Sequence, residues 1–386
     1  MDLATFEALL DSHGRDLWDR IAERAGTESD LALGTRLRRD HPADLVAAAM
    51  SQHTLRRRAA VKFGDDAARM FFVPDALEQA TRSTVARHRA RRLAALGVTS
   101  VVDLGCGIGG DLVACAREGL AVRGIERDPV RAAVARANLA ALGLTGTVEV
   151  GDATTAELGP DEVAFVDPAR RDGSGRTFSL DALVPGWDFV ADLLRGRALA
   201  KVMPGIAHEA VPPGVQAEWV SDGGDLVEAC LWGAGFGLPA GHRATVLPAG
   251  ATLAARGAQA ATGAPLSRLV EPDDAVIRAG IVAELAEDLD GRLLDPHIAW
   301  ITTDARDAEP FGRVFRIEAE LPFREKQLRA ALRERDIGTL TVKKRGIDVV
   351  PEQLIARLKL KGRVAATVVL TRVAGEGRAF LVERER

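Results

Sequence analysis

Residues 101–112 read Val-Val-Asp-Leu-Gly-Cys-Gly-Ile-Gly-Gly-Asp-Leu: an apolar run breaks into four glycines within six residues, and an amphipathic stretch follows. A strand, a glycine-rich turn and a helix in that order open a βαβ unit. Outward from it the alternation continues with AVRGIE at 121–126, a helix predicted over 129–142, TVEV at 147–150, EVAFVDP at 162–168 and ALAKVMP at 198–204. Short apolar strands alternating with helices specify a parallel sheet. Two further runs, VQAEWVS at 215–221 and DLVEACLWG at 225–233, flank Asp222-Gly223-Gly224, a turn sequence suited to a hairpin. Residues before Gly97 carry apolar positions at helical spacing and few β-branched residues, with breaks near Gly26, His41-Pro42 and Pro74.

The glycines let the backbone turn tightly and approach a ligand that a side chain would block, and the helix that follows offers unpaired N–H groups. Gly105, Gly107 and Gly110 also satisfy G-x-G-x-x-G, and Glu126 lies about 20 residues on, as a nicotinamide dinucleotide site requires. Alone, then, the loop fits either a dinucleotide or S-adenosylmethionine. Asp103, two residues before the first glycine, is placed to meet the cationic amino group of a methionine moiety, and Glu126 would hold ribose hydroxyls in either reading. Asp152, after the third strand, and Asp167-Pro168, closing the fourth, favour S-adenosylmethionine; Asp152 would face the adenine amino group, or serve as a plain turn cap. Cys106 reads as a small filler of the same loop, and Arg127 and Ala153 as neighbours lining the same cofactor site.

The expected fold is α/β: a Rossmann-like class I methyltransferase sheet, mostly parallel with its last strand antiparallel, an N-terminal helical region and a small C-terminal α+β unit. Expected boundaries are 1–97 for the helical region, 98–250 for the methyltransferase domain, 251–294 for a linker and helix, and 295–386 for the C-terminal unit. The stretch 239–266, rich in Ala, Gly and Pro, reads as a boundary region with one strand at ATVLP, and one helix is expected over 273–288.

Asp167 sits at the carboxyl end of a buried strand, where ligands of open α/β sheets bind, so Asp167 and Pro168 are the candidate catalytic residues. In amino-group methyltransferases this slot reads Asp or Asn, Pro, Pro, aromatic; here Ala169 and Arg170 replace the last two. Arg170 and Arg171 would grip a backbone phosphate, or pair with Asp172 or Asp188 and shape the loop. The sequence has no Tyr, and Phe71, Phe72 and Trp187 are the candidate stackers, or core residues. Lys201, ending the fifth strand, would hold a substrate phosphate or an acidic partner, or face solvent. No cysteine follows the proline, which excludes a carbon-5 cytosine mechanism, and no His, Cys or carboxylate cluster has metal-ligand spacing.

The 386 residues contain 47% hydrophobic and 27% charged residues, an ordinary globular balance, and three isolated cysteines, Cys106, Cys115 and Cys230. The N-terminal MDLATFEALLDSHGRDLW lacks secretory-signal pattern and no run suits a membrane span, so a cytoplasmic protein is expected. Net charge is -4, yet residues 321–363 hold 12 basic and 5 acidic residues, including Lys343, Lys344 and Arg345. That stretch reads as a phosphate-facing surface, or as an ordinary solvated face.

Taken together, KFG at 62–64, MFF, ALEQATR, DLGCGIGGD, FVDPARR, KVMPG, EWVSDGGDLVEA, EPDDAVIRA, LLDPHIAW and LTVKKRG resemble bacterial class I S-adenosylmethionine-dependent methyltransferases with a C-terminal THUMP-like domain. The resemblance runs from about residue 40 to the end. It implies an RNA methyltransferase, because THUMP domains are RNA-binding attachments of tRNA- and rRNA-modifying enzymes. The segment FGDDAARMFFVPDALEQATRSTVARHRA also resembles the helical lead-in of trimethylguanosine-synthase-like enzymes, which implies guanine N2 as acceptor. Two alternatives stand beside this reading: a methyltransferase acting on a small molecule or protein, and an RNA-binding protein that keeps the cofactor without transfer.

Overall fold

Helical spacing from the N-terminus to Ala95 becomes six helices: α1 (Leu3–Leu10), α2 (Ser12–Arg24), α3 (Asp30–Leu37), α4 (Ala43–Phe63), α5 (Pro74–Gln79) and α6 (Ser83–Ala95). Asp2, Asp11 and Ser29 cap the first three by accepting backbone N–H bonds, and Pro74 occupies the first turn of α5, where its missing N–H costs nothing. The computed structural model describes residues 1–170 and 180–385, and the chain divides into two units. The first comprises Met1–Val202, Ile206–Val215 and Cys230–Leu238; the second comprises Met203–Gly205, Gln216–Ala229 and Pro239–Arg386.

In the first unit the helices lead into β1 (Ser100–Leu104), α7 (Gly110–Arg117), β2 (Ala121–Glu126), α8 (Pro129–Ala141), β3 (Thr147–Val150), β4 (Glu162–Val166), the short strands β5 (Ala169–Arg170) and β6 (Leu183–Val184), α9 (Trp187–Leu193) and β7 (Ala198–Val202). The main strands run β7-β4-β1-β2-β3, and every pairing is parallel. Their nearly continuous apolar runs follow from burial on both faces. The N-terminal helices share a core with α8 through Phe6, Leu17, Ile21, Phe63, Phe72 and Val134.

One buried amide ties these parts together. Asn138 on α8, fully buried, accepts the Phe71 N–H at 2.7 Å and donates to the carbonyls of Phe71 at 3.1 Å and Ile108 at 2.8 Å. The Gln52 amide brackets Phe72 in the same way. Phe71 and Phe72 lie outside any helix or strand, and these two amides satisfy their buried backbone N–H and C=O groups.

The second unit contains the greater part of the hairpin β8 (Gln216–Asp222) and β9 (Asp225–Trp232). Gly223 and Gly224 carry φ of 64° and 90°, the double positive pair that a two-residue hairpin turn demands. β10 (Gly241–Leu247) pairs parallel with β8, and β11 (Ala251–Ala254) antiparallel with β10, so two strands occupy the expected boundary region. The helix expected over 273–288 is broken into α10 (Asp274–Arg278) and α11 (Val282–Asp288), because Gly280 at φ 72° leaves the helical region.

A seven-stranded sheet follows. Its strands are β12 (Arg268–Pro272), β13 (Arg292–Asp295), β14 (Ile298–Thr303), β15 (Gly312–Leu321), β16 (Ile337–Lys344), β17 (Val364–Val373) and β18 (Glu376–Arg384), in the order β13-β14-β12-β15-β18-β17-β16. Two helices, α12 (Glu325–Glu334) and α13 (Pro351–Leu358), cover one face through Leu328, Leu332, Leu354 and Leu358. Along β17 successive residues alternate between the faces: Val368 and Leu370 meet the helices, and Val369 packs with Trp300, Phe315 and Phe380.

Candidate active site

The strand order of the first unit reverses between β1 and β4, and in open α/β sheets that point leaves a crevice at the carboxyl ends of the strands. A cavity of about 520 Å³ lies there. Its wall takes residues from the ends of β1, β2, β3 and β4 and from Ala76 to Thr81 at the end of α5. All nine residues expected at the cofactor line it: Asp103, Gly105, Cys106, Gly107, Glu126, Arg127, Asp152, Ala153 and Asp167.

The glycines of the loop do different things. Gly105 at φ 98° and Gly107 at φ 55° have no neighbour within 4 Å of where a Cβ would stand, whereas a Cβ on Gly109 would lie 3.1 Å from that of Ala135. The first two keep the backbone open to a ligand; the third lets α7 approach α8. Cys106 turns the other way, its sulfur lying under Gly124, and burial pushes its thiol well up, so the small-filler reading describes its surroundings.

Asp103 is 3% exposed, and burial, followed by the nearby Asp111 and Asp167, pushes its carboxyl well above the usual 3.8. Arg89 on α6 opposes that rise; it donates to Asp111 at 2.6 Å and lies 4.8 Å from the Phe165 ring centroid. Glu126 spreads its carboxylate between two amides, accepting from Gly107 N and Asp128 N at 2.9 Å each. The ribose candidate is thus also a tie holding the glycine loop to the start of α8. Asp152 caps the 3-10 turn Ala153–Thr155, with Oδ1 accepting from Thr154 N at 2.8 Å and Thr154 Oγ1 at 2.7 Å, and it lines the cavity as well. These Thr154 bonds hold its carboxyl below the usual range.

At the end of β4 the Lys201 ammonium donates to Asp167 Oδ2 at 2.5 Å, so the acidic partner expected for Lys201 is Asp167 itself. Pro168 is buried beside it, and Ala169, on the strand β5 that pairs with β6, lines the cavity together with Val184 and Pro185. Arg171 and the Arg170 side chain lie outside the described residues. Two buried carboxylates, Asp103 and Glu126, next to open glycine backbone, with the half-buried Asp111 and Asp167 on the same wall, fit a ligand with positive charge. S-adenosylmethionine carries a sulfonium and an ammonium.

Several sequence candidates lie elsewhere. Phe71 and Phe72 are core residues, which corrects the stacking role expected of them: Phe71 packs edge-on against Phe6 and Trp18, and Phe72 lies 5.5 Å from Phe63. Trp187 is half-buried at the start of α9 and is not part of the cavity wall, where Phe165 is the aromatic contributed by the described residues. Lys343 donates to both oxygens of Glu271, at 3.0 and 2.7 Å, beneath which lies the Phe315 ring. That pairing corrects its reading as a phosphate contact. Lys344 is exposed and Arg345 half-buried. Among the described residues no cluster could hold a metal ion, and no helix is long and apolar enough to cross a membrane.

Sequence reasoning missed Asp111, Arg89 and the Ala76–Thr81 wall. Arg89 had a signal, since Val85, Ala86, Ala90 and Leu93 mark the buried face of α6 and Arg89 falls on it.

Several known proteins resemble this chain. A family model described as a THUMP domain-like domain matches residues 312–384, and a domain of unknown function matches residues 2–59. A protein of Porphyromonas gingivalis W83, described only as a candidate methyltransferase, superposes with a TM-score of 0.71 at 21% identity, covering 90% of this chain and 92% of that one, which supports the fold. An uncharacterized S-adenosylmethionine-dependent methyltransferase of Mycobacterium tuberculosis, recorded in strains CDC 1551 and H37Rv, is 37% identical over 330 residues, 83% of this chain and 90% of the relative. With that identity over that length and a THUMP-like domain at its C-terminal end, the chain belongs to the class I S-adenosylmethionine-dependent methyltransferases that carry a C-terminal THUMP-like domain.

Proposed function

We propose that this methyltransferase modifies a base nitrogen of structured RNA such as tRNA or rRNA, with guanine N2 the favoured acceptor. The observation that carries the reading is the Asp167 carboxylate, on the cavity wall at the carboxyl end of β4 and oriented by Lys201. S-adenosylmethionine supplies an electrophilic methyl group. The chain's part is to hold an amine in line with it: Asp167 accepts one N–H of the amino group, which fixes the direction of the nitrogen lone pair. Asp103 takes the cofactor's ammonium, Glu126 its ribose hydroxyls and Asp152 its adenine amino group. Gly105, Gly107, Arg127 and Ala153 complete that wall.

An RNA acceptor is supported by the THUMP-like match and by exposed lysines in the same stretch, Lys344, Lys359 and Lys361. The test is transfer of labelled methyl from S-adenosylmethionine to unmodified tRNA and rRNA transcripts, followed by nucleoside analysis. N2-methylguanosine is the expected product. Label on another base nitrogen would replace the acceptor, and label confined to small molecules or protein would overturn the RNA reading.

A further inference from the structure

The wall formed by Ala76–Thr81 does not belong to the sheet that builds the rest of the cavity, so something else must fix it. Its first anchor is an ion pair between Asp75, in the first turn of α5, and Arg131, in the first turn of α8 and itself on the cavity wall. The second anchor is Lys62, near the end of α4. Its ammonium donates to three carbonyls at the end of α5: Leu77 at 2.9 Å, Glu78 at 2.6 Å and Ala80 at 2.8 Å. A helix end leaves its last carbonyls without partners and carries partial negative charge. An ammonium has three donors and no acceptor, so Lys62 spends its whole capacity there.

Immediately beyond lies Thr81, a cavity-lining residue whose hydroxyl is buried and has no hydrogen-bond partner among the described residues. Burying a hydroxyl without a partner is costly, and a ligand in the cavity would relieve it. Burial pulls the Lys62 ammonium below its usual range, and the positive charges of Lys201 and Arg82 add to that.

We infer that Lys62 is a positioning residue of the cofactor site, which sets the Ala76–Thr81 wall, and with it the Thr81 hydroxyl, by gathering the three terminal carbonyls of α5. The inference rests on the cavity being the cofactor site and is independent of the acceptor.

Binding of S-adenosylhomocysteine to the full chain, measured by titration calorimetry, tests it. Wild-type protein that fails to bind would overturn the cofactor-site reading itself. If wild type binds, Lys62→Ala should weaken affinity about tenfold, the loss of more than one charge-assisted bond after partial replacement by water. Added n-propylammonium, which replaces the missing stem and donors, should restore most of it, while tetramethylammonium, which has no N–H, should not. Unchanged affinity in Lys62→Ala, or a loss that neither cation relieves, would overturn the assignment. Should the variant fail to fold, hydrogen exchange on wild type decides: amides of residues 76–82 should slow on adding S-adenosylhomocysteine, and equal exchange with and without ligand would overturn it.

Discussion

Two concentrations of charge in this chain differ in what surrounds them. Around the cavity, Asp103 and Glu126 are buried and Asp111 and Asp167 half-buried, drawn together by the ends of parallel strands and by the turn after β1. In the stretch 321–363 the charges stand on α12, α13 and β16, and many answer one another. Arg357 pairs with Glu325 at 2.9 Å, Arg363 with Asp336 at 3.0 Å, and Arg329 donates to the Arg357 carbonyl at 2.7 Å. A carboxylate that must shed its water without a full complement of cations is poised for a ligand, whereas an exposed arginine with a carboxylate at hand contributes little beyond local order. Density of charge in a sequence is therefore a poorer guide to function than the topology that buries it.

The largest expected effect tests the half-buried carboxylate proposed to meet the acceptor. Asp167→Ala should lower kcat by about 100-fold or more, because the amine loses its orienting partner, while S-adenosylhomocysteine binds almost as before. Single-turnover transfer alongside calorimetry checks this, and retained activity would remove Asp167 from its role.

Next comes Asp103→Asn, which should weaken S-adenosylhomocysteine binding by about tenfold or more by deleting the charge opposite the ammonium. The same substitution should stabilise the ligand-free protein at neutral pH. A carboxyl whose folded pKa lies above 3.8 retains a proton that the unfolded chain has released, so its ionisation subtracts stability as pH rises from 3.8 through its higher folded value. Melting of ligand-free variant and wild type should accordingly differ most at neutral pH and converge toward pH 4. A variant that melts lower at pH 7 would mean Asp103 is a structural acid rather than a binding one.

On the other side of the comparison, reversing the exposed Lys344, Lys359 and Lys361 to Glu should weaken RNA binding and flatten its dependence on salt, leaving cofactor affinity alone. Unchanged salt dependence would make the whole stretch a solvated face. The smallest effect belongs to Lys343→Met, which breaks a partly exposed pair with Glu271: about 1 kcal/mol of stability at most, with little change in RNA affinity. If Lys343 instead proved the strongest RNA determinant, the pairing seen here would have to open on binding.

What the sequence made legible divides along the same line. The cavity wall was readable because a strand that stops at a glycine has only one place to put the residues on either side of it, and the placing of Asp103, Gly105 and Gly107 follows from that geometry. Glu126, Asp152 and Asp167 stand at the ends of the next strands in order, so the period of the βαβ pattern located them too. Phe71 and Phe72 misled because an apolar pair in a non-helical stretch carries no mark of which neighbours will enclose it; their enclosure depends on Gln52 and Asn138, 20 and 67 residues away in sequence. Lys62 was opaque for a similar reason, since a cation whose partners are backbone carbonyls looks like any surface charge. Gly280, which divides α10 from α11, was visible as a letter, but a single glycine in an amphipathic pattern is compatible with either a continuous or a broken helix.

The ribose role proposed for Glu126, added to its tie to the glycine loop, bears on how this site could change over evolutionary time. A pocket that recognises a plain ribose is commonly converted to a phosphorylated one by exchanging the acidic side chain for something small or basic. Here that exchange would also orphan the amides of Gly107 and Asp128, loosening the loop in the same stroke that altered its preference. Cofactor choice and loop integrity are thus inherited together, and a lineage that abandoned this cofactor would have to re-stitch the turn with a second substitution before it could bind anything in its place.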